Sequence, residues 1–243
     1  MSRPLLDRIP QSLPPWTWST TVALLGLALV VGCADEASRD PDAIASADAR
    51  RSEPVPADPE RREWITTDPV DATVFAEHMR AHPNLERIEL FDPAETSLWD
   101  WTRLAEQPRL RWVRLESGGG RRLLDALGKQ GRIVRLNLPA ADLTTEHAAA
   151  LADLPQLESL RLGQVELTAD TLLRLTTLKH LHLLDTTLSD DAVAAIAGLD
   201  RLESFYLDRV VVSDAALRSL VRTRPDLHLH IDQLHPDGSG HDR

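Results

Sequence analysis

The sequence predicts an α/β fold built from repeated strand–turn–helix units, a solenoid with one parallel sheet. Two observations predict it. First, Leu157-x-x-Leu160-x-Leu162, Leu178-x-x-Leu181-x-Leu183 and Leu202-x-x-Phe205-x-Leu207 write one alternating segment three times. Alternation sends every second side chain to one face, so each copy reads as a strand with one buried side. Second, each copy is followed by an apolar residue and a hydroxyl: Leu167-Thr168, Leu188-Ser189 and Val212-Ser213. Ser or Thr there caps a helix, and in the middle copy Val193, Ile196, Ala197 and Leu199 then fall on one helical stripe. One such unit cannot bury its apolar face alone, whereas stacked units share a core.

The pattern extends upstream. Strand anchors recur at Leu85, Leu110, Ile133, Leu157, Leu178 and Leu202, with a period in the low twenties, and a last strand covers residues 227–231 (LHLHI). The L-x-x-L-x-L spacing resembles the leucine-rich repeat family, in its helix-containing, ribonuclease-inhibitor-like form, over about residues 70–234. That resemblance implies a horseshoe with the sheet on the concave side, helices on the convex side, and recognition of a protein or ligand without catalysis or a cofactor. Many members of the family place Asn eight residues after the first Leu. Here Pro93, Gly118, Ala141, Val165, Thr186 and Val210 stand there. Thr144, Thr168, Ser189 and Ser213 are expected to satisfy the turn in its place.

Residues 1–32 read as a signal peptide. Arg3 and Arg8 precede an apolar run at 22–31 (VALLGLALVV) that is too short to span a bilayer. The run ends in Val30-Val31-Gly32-Cys33, which resembles a bacterial lipobox. The resemblance implies acylation of Cys33, membrane attachment through its acyl (palmitate-class) chains, and a place in the cell envelope. Ala34 after the cysteine resembles lipoproteins sorted to the outer membrane. Cys33 is the only cysteine, so no internal disulfide framework exists. Asp and Glu number 38 against 27 Lys and Arg, a balance that argues against a nucleic-acid partner.

Residues 33–62 are charged, rich in Pro and Ala, and free of aromatics, the composition of a disordered tether. The repeat domain is expected over 63–235, acting as a monomer, with a disordered tail at 236–243. Asp71 can cap a helix through Val74, Phe75, His78 and Met79, a plain N-terminal cap for the repeats. His78 and His82 have zinc-compatible spacing without the glutamate of a metalloprotease. Trp99 and Trp101 read as core filling. Gly118-Gly119-Gly120 reads as a flexible turn, since no Lys-Ser/Thr follows to make a phosphate loop.

On each strand the residues between the leucines face away from the core. The row they form carries Arg87, Trp112, Arg114, Arg135, Arg161, His180, His182, Tyr206, His228 and His230. Trp, Tyr and Arg dominate binding hot spots, so this face is the candidate partner-binding surface. The other reading is a set of long polar side chains that only solvate an exposed sheet. His228, His230 and Asp232 share one strand face, about 7 Å apart by strand geometry, and give a metal-binding alternative. A purely structural envelope component is the third reading. Ser204 between His180 and His228 mimics a nucleophile and base, but an open sheet offers neither oxyanion donors nor water exclusion, so no enzyme is expected.

Overall fold

The computed structural model describes residues 55–232. The cysteine at 33, the expected signal peptide and the tail at 236–243 lie outside the described residues. In chain order the elements are β1 (Glu63–Val70), α1 (Ala72–Ala81), β2 (Arg87–Pro93), α2 (Thr102–Ala105), β3 (Trp112–Leu115), β4 (Ser117–Gly118), α3 (Gly120–Gln130), β5 (Arg135–Leu138) and β6 (Ala140–Ala141). They continue with α4 (Thr145–Ala148), β7 (Ser159–Gly163), α5 (Ala169–Arg174), β8 (His180–Leu184), α6 (Asp190–Ala197), β9 (Ser204–Asp208), α7 (Asp214–Thr223) and β10 (His228–Ile231). Among the described residues, no helix is long and apolar enough to cross a membrane.

Eight strands form one open sheet in the order β1-β2-β3-β5-β7-β8-β9-β10, and each pair is parallel. Parallel neighbours need a crossover, and here each crossover carries the helical or turn segment that covers the apolar face. The register stacks like positions. Ile88, Val113, Leu136, Leu160, Leu181, Phe205 and Leu229 form one row across seven strands. All seven are buried in a single apolar cluster shared with Leu123, Leu151, Leu172, Ile196 and Leu220 from the helical layer. Alternation in the sequence therefore became one buried face and one open face of the sheet.

Each expected helix cap forms. The side-chain oxygens of Thr144, Thr168, Ser189 and Ser213 accept the N–H of His147, Thr171, Ala192 and Ala216, and Asp71 accepts that of Val74. These hydroxyls cap the helices, and that of Ser213 also donates to Asp190 Oδ1 of the preceding unit (2.7 Å). The turns that lack asparagine are tied by backbone pairing and, at Thr186, by a side-chain hydroxyl. Ser117 and Gly118 pair with Ala140 and Ala141 in a second, two-stranded sheet. Further along, Val211 N–H donates to Thr186 O (2.9 Å), Leu188 N–H to Val211 O (2.9 Å), and the Thr186 hydroxyl to Val165 O (2.8 Å).

Three features depart from the sequence reading. The N-terminal cap is not α1 alone: β1 precedes it and adds an eighth strand, with Glu63 opposite Arg87 and Ile65 opposite Glu89. Its sequence, EWITTDPV, hides the strand because only Trp64 and Val70 are buried and the pairing shifts between Thr66 and Pro69. Order also begins before Glu63. Asp58 N–H donates to Ala81 O (3.0 Å), and Asn84 donates to Pro59 O (3.0 Å), which satisfies polar groups near the C-terminal end of α1. The glycine run is fixed rather than loose. Gly118, Gly119 and Gly120 all have positive φ (75°, 87° and 54°), and Gly119 N–H donates to the Thr96 hydroxyl (3.1 Å). A Cβ on Gly118 would lie 2.2 Å from that oxygen, so the turn requires glycine twice over, by dihedral and by contact.

The tryptophans fill the core at the N-terminal end, as expected. Trp99 and Trp101 are buried against Phe75, with centroids 4.4 and 5.6 Å from its ring, and Trp99 Nε1–H donates to Ala94 O (3.0 Å).

Candidate functional site

The open face is read off the register. Arg87, Trp112, Arg135, Ser159, His180, Ser204 and His228 are mutual partners across neighbouring strands. Glu89, Arg114, Asn137, Arg161, His182, Tyr206 and His230 form the second row. Each of the ten expected surface residues is thus brought to the same face.

Strand geometry sets two kinds of neighbour here, i and i+2 on one strand and equivalent positions on the next. Both are used. At the N-terminal side, Arg87 pairs with Glu89 (2.7 Å) and its guanidinium lies 3.7 Å from the Trp112 ring centroid. Arg114 pairs with Glu116 (2.7 Å) and lies 4.2 Å from the Phe91 ring. These arginines are neutralised by a carboxylate two residues on and flattened against an aromatic face.

At the C-terminal side the groups are imidazoles around one phenol. Tyr206 stacks on His230 (4.4 Å between centroids, 14° between planes) and meets His182 at 5.5 Å and His228 at 6.4 Å. His182 Nε2 lies 2.8 Å from Asp208 Oδ2, so that nitrogen carries the proton and donates to the carboxylate. Burial lowers the pKa of His182, while the hydrogen bond and charge of Asp208 pull it up. The Nε2 atoms of His228 and His230 approach each other closely.

Asp232 does not join them. The strand ends at Ile231, Asp232 turns into a positive φ of 47°, and its Oδ1 accepts Arg209 N–H (2.7 Å). Strict alternation placed it on the histidine face, but alternation stops where the strand does. Among the described residues no group of three or more His, Cys, Asp or Glu is arranged to hold a metal ion. At the other end of the sheet, His78 and His82 are also built into the fold. His78 stacks on Trp64 (4.2 Å) and donates from Nδ1 to Val74 O (3.2 Å), while buried His82 donates from Nδ1 to Asp58 O (3.2 Å).

His78 supplies a pH test. Burial lowers its pKa below 6.5, with smaller opposing and reinforcing effects from the Val74 carbonyl, His82, Arg61 and Glu77. As pH falls through 6.5 the unfolded chain takes up a proton that the folded chain resists. Stability is then complete above that pH and declines below it. The melting temperature should drop between pH 7.5 and 5.5, and His78→Phe, which keeps the stack on Trp64, should shrink the drop. An equal drop in both proteins would remove His78 as a source. The depressed carboxylates Asp100, Asp185 and Asp226 act in a separate window, near and below 3.8.

Between the two ends lies a shallow depression of ≈ 260 Å³, bordered by Trp112, Arg135, Arg161, His180, His182 and Tyr206. Ser204 lies in register between His180 and His228 on the open face of the sheet, where it is half-buried. What the face offers chemically is cationic and aromatic surface for contact. No protein-family model and no curated protein matches the chain, so the functional reading rests on this arrangement of side chains.

Proposed function

We propose that the chain is a leucine-rich-repeat solenoid, anchored in a bacterial envelope membrane through acyl chains on Cys33, whose open sheet face recognises a protein or ligand without catalysis. Stacked strand–turn–helix units with like positions in register support the repeat reading. One observation carries the recognition reading. Among the described residues, the open sheet face carries Trp112, Tyr206 and four arginines, the residue types that anchor interfaces, and both aromatics with Arg135 and Arg161 border one depression. A face that only needed solvation would have no reason to concentrate aromatic area there.

Two measurements test it. A photo-crosslinking amino acid at Ser159, on the open face, should trap a partner in envelope extracts, and the same residue at exposed Leu173 on α5 should not. Trp112→Ala with Tyr206→Ala should reduce the Ser159 product by more than about tenfold, as loss of two hot-spot side chains does. Unchanged trapping would exclude this face and leave a purely structural component. Separately, Cys33→Ala should abolish incorporation of labelled palmitate and leave an uncleaved precursor; normal labelling would exclude the lipid anchor.

A further inference from the structure

The open-face arginines follow a rule that is broken in two adjacent strands. On β2 and β3 each arginine is followed two residues later by its carboxylate, as Arg87-x-Glu89 and Arg114-x-Glu116, and both ion pairs form at 2.7 Å. The same spacing on β5 and β7 reads Arg135-x-Asn137 and Arg161-x-Gly163. The acid is gone in both. Among the described residues neither Arg135 nor Arg161 makes a salt bridge: Arg135 lies 5.3 Å from the Trp112 ring centroid, and Arg161 makes one long hydrogen bond to Asn137 Oδ1 (3.5 Å). No carboxylate borders the depression that these two arginines share. In a chain of formal charge −11, two guanidiniums without acids on one small surface are a local reversal of sign.

Geometry adds the second half of the argument. Arg135 and Arg161 are diagonal neighbours on adjacent strands, so their side chains rise about 8 Å apart by strand spacing. That separation lets both forks reach one carboxylate or clamp two successive ones. Trp112 and Tyr206 wall the same depression from opposite sides, offering apolar area next to the charge.

We propose that this depression binds an acidic peptide segment of the partner, one that sets a carboxylate beside an aromatic or aliphatic side chain. The proposal rests on the open face being the recognition surface and names the chemistry of what it recognises. The carboxylate is held by Arg135 and Arg161, and its apolar neighbour packs on Trp112 or Tyr206. Arg87 and Arg114, already neutralised, frame the site without competing for the ligand.

The test uses the full chain in a nonionic detergent and fluorescein-labelled six-residue peptides of alternating Glu and Phe, Gln and Phe, or Lys and Phe. Anisotropy should report binding of the Glu–Phe peptide, weakening of more than about tenfold with either other peptide, and a similar loss in Arg135→Ala/Arg161→Ala. Arg135→Lys/Arg161→Lys should recover part of it, and Arg103→Ala/Arg109→Ala, away from the face, should change nothing. The double alanine variant removes no buried group, and an unchanged melting temperature confirms its fold. Equal binding by that variant, equal binding of the Gln–Phe peptide, or no binding of the Glu–Phe peptide would each overturn the proposal. Phenylacetate competing as tightly as the peptide would also overturn it, in favour of a small aromatic carboxylate. Failure here with Ser159 trapping still lost in the Trp112→Ala/Tyr206→Ala variant removes only the acidic ligand; failure of both removes the recognition surface as well.

Discussion

Leu181→Asp is expected to leave no cooperative thermal transition, whereas His180→Asp, one residue away, should melt close to the wild type. The contrast follows from the pleat. Leu181 is fully buried in the middle of the sheet, between Leu160 of β7 and Phe205 of β9, while His180 is exposed on the opposite face. Truncation alone, as in Leu→Ala, costs about 2–5 kcal/mol in a packed core. A carboxylate adds several kcal/mol more, because it has no cation or donor within the leucine cluster and must either stay charged without water or take up a proton. Domain stabilities are about 5–15 kcal/mol, so the sum approaches or exceeds the whole. Circular dichroism melts of the two variants decide the matter. A soluble Leu181→Asp protein with a sharp transition would mean that the two faces of the sheet are assigned the wrong way round.

The sheet was legible in the sequence for a physical reason. Strand side chains alternate with a period of two, and only one face is buried, so leucines mark the inner row and everything between them marks the outer one. Arg87 through His230 fall where that rule places them. The rule is silent where burial is weak or the strand stops. In β1 three of the eight residues from Glu63 to Val70 are polar ones that stay exposed, and the kink between Thr66 and Pro69 erases the alternation. Asp232 sits one residue past the end of β10, where a left-handed turn carries it away from His228 and His230. The glycine run showed no side-chain pattern at all, and its fixed geometry depends on Thr96, more than twenty residues upstream.

The open-face ion pairs lay at a different depth. Arg-x-Glu on one strand face was readable at Arg87 and Arg114, since i and i+2 are neighbours there. Its absence at Arg135 and Arg161 acquires meaning only once β5 and β7 are known to be adjacent and to share a depression. A long-range pairing turned two missing acids into one place.

Gly163→Ala is expected to destabilise the protein by about 3 kcal/mol or more, although the added group is a single methyl and the backbone φ is not positive. The cause is steric. Gly163 closes β7, and a Cβ built on it would lie 2.0 Å from the carbonyl oxygen of Pro139 and 2.9 Å from its carbon. Both are backbone atoms, and Pro139 directly follows β5, which is itself paired with β7. Relief therefore requires two paired strands to separate, with loss of ladder hydrogen bonds, rather than the swing of a flexible side chain. Gly128 is the internal control. It lies within α3 at an ordinary helical dihedral, and its added Cβ would meet nothing closer than Asp153 Cβ at 3.8 Å. There alanine removes the conformational freedom that glycine has in the unfolded chain, and Gly128→Ala should stabilise by about 0.5–1 kcal/mol. Urea midpoints of the two variants should move in opposite directions from wild type. If Gly163→Ala melts like the parent, the close approach of Pro139 to β7 is not a fixed feature of the sheet, and the stacking of those two units must be looser than the register of Leu136 on Leu160 requires.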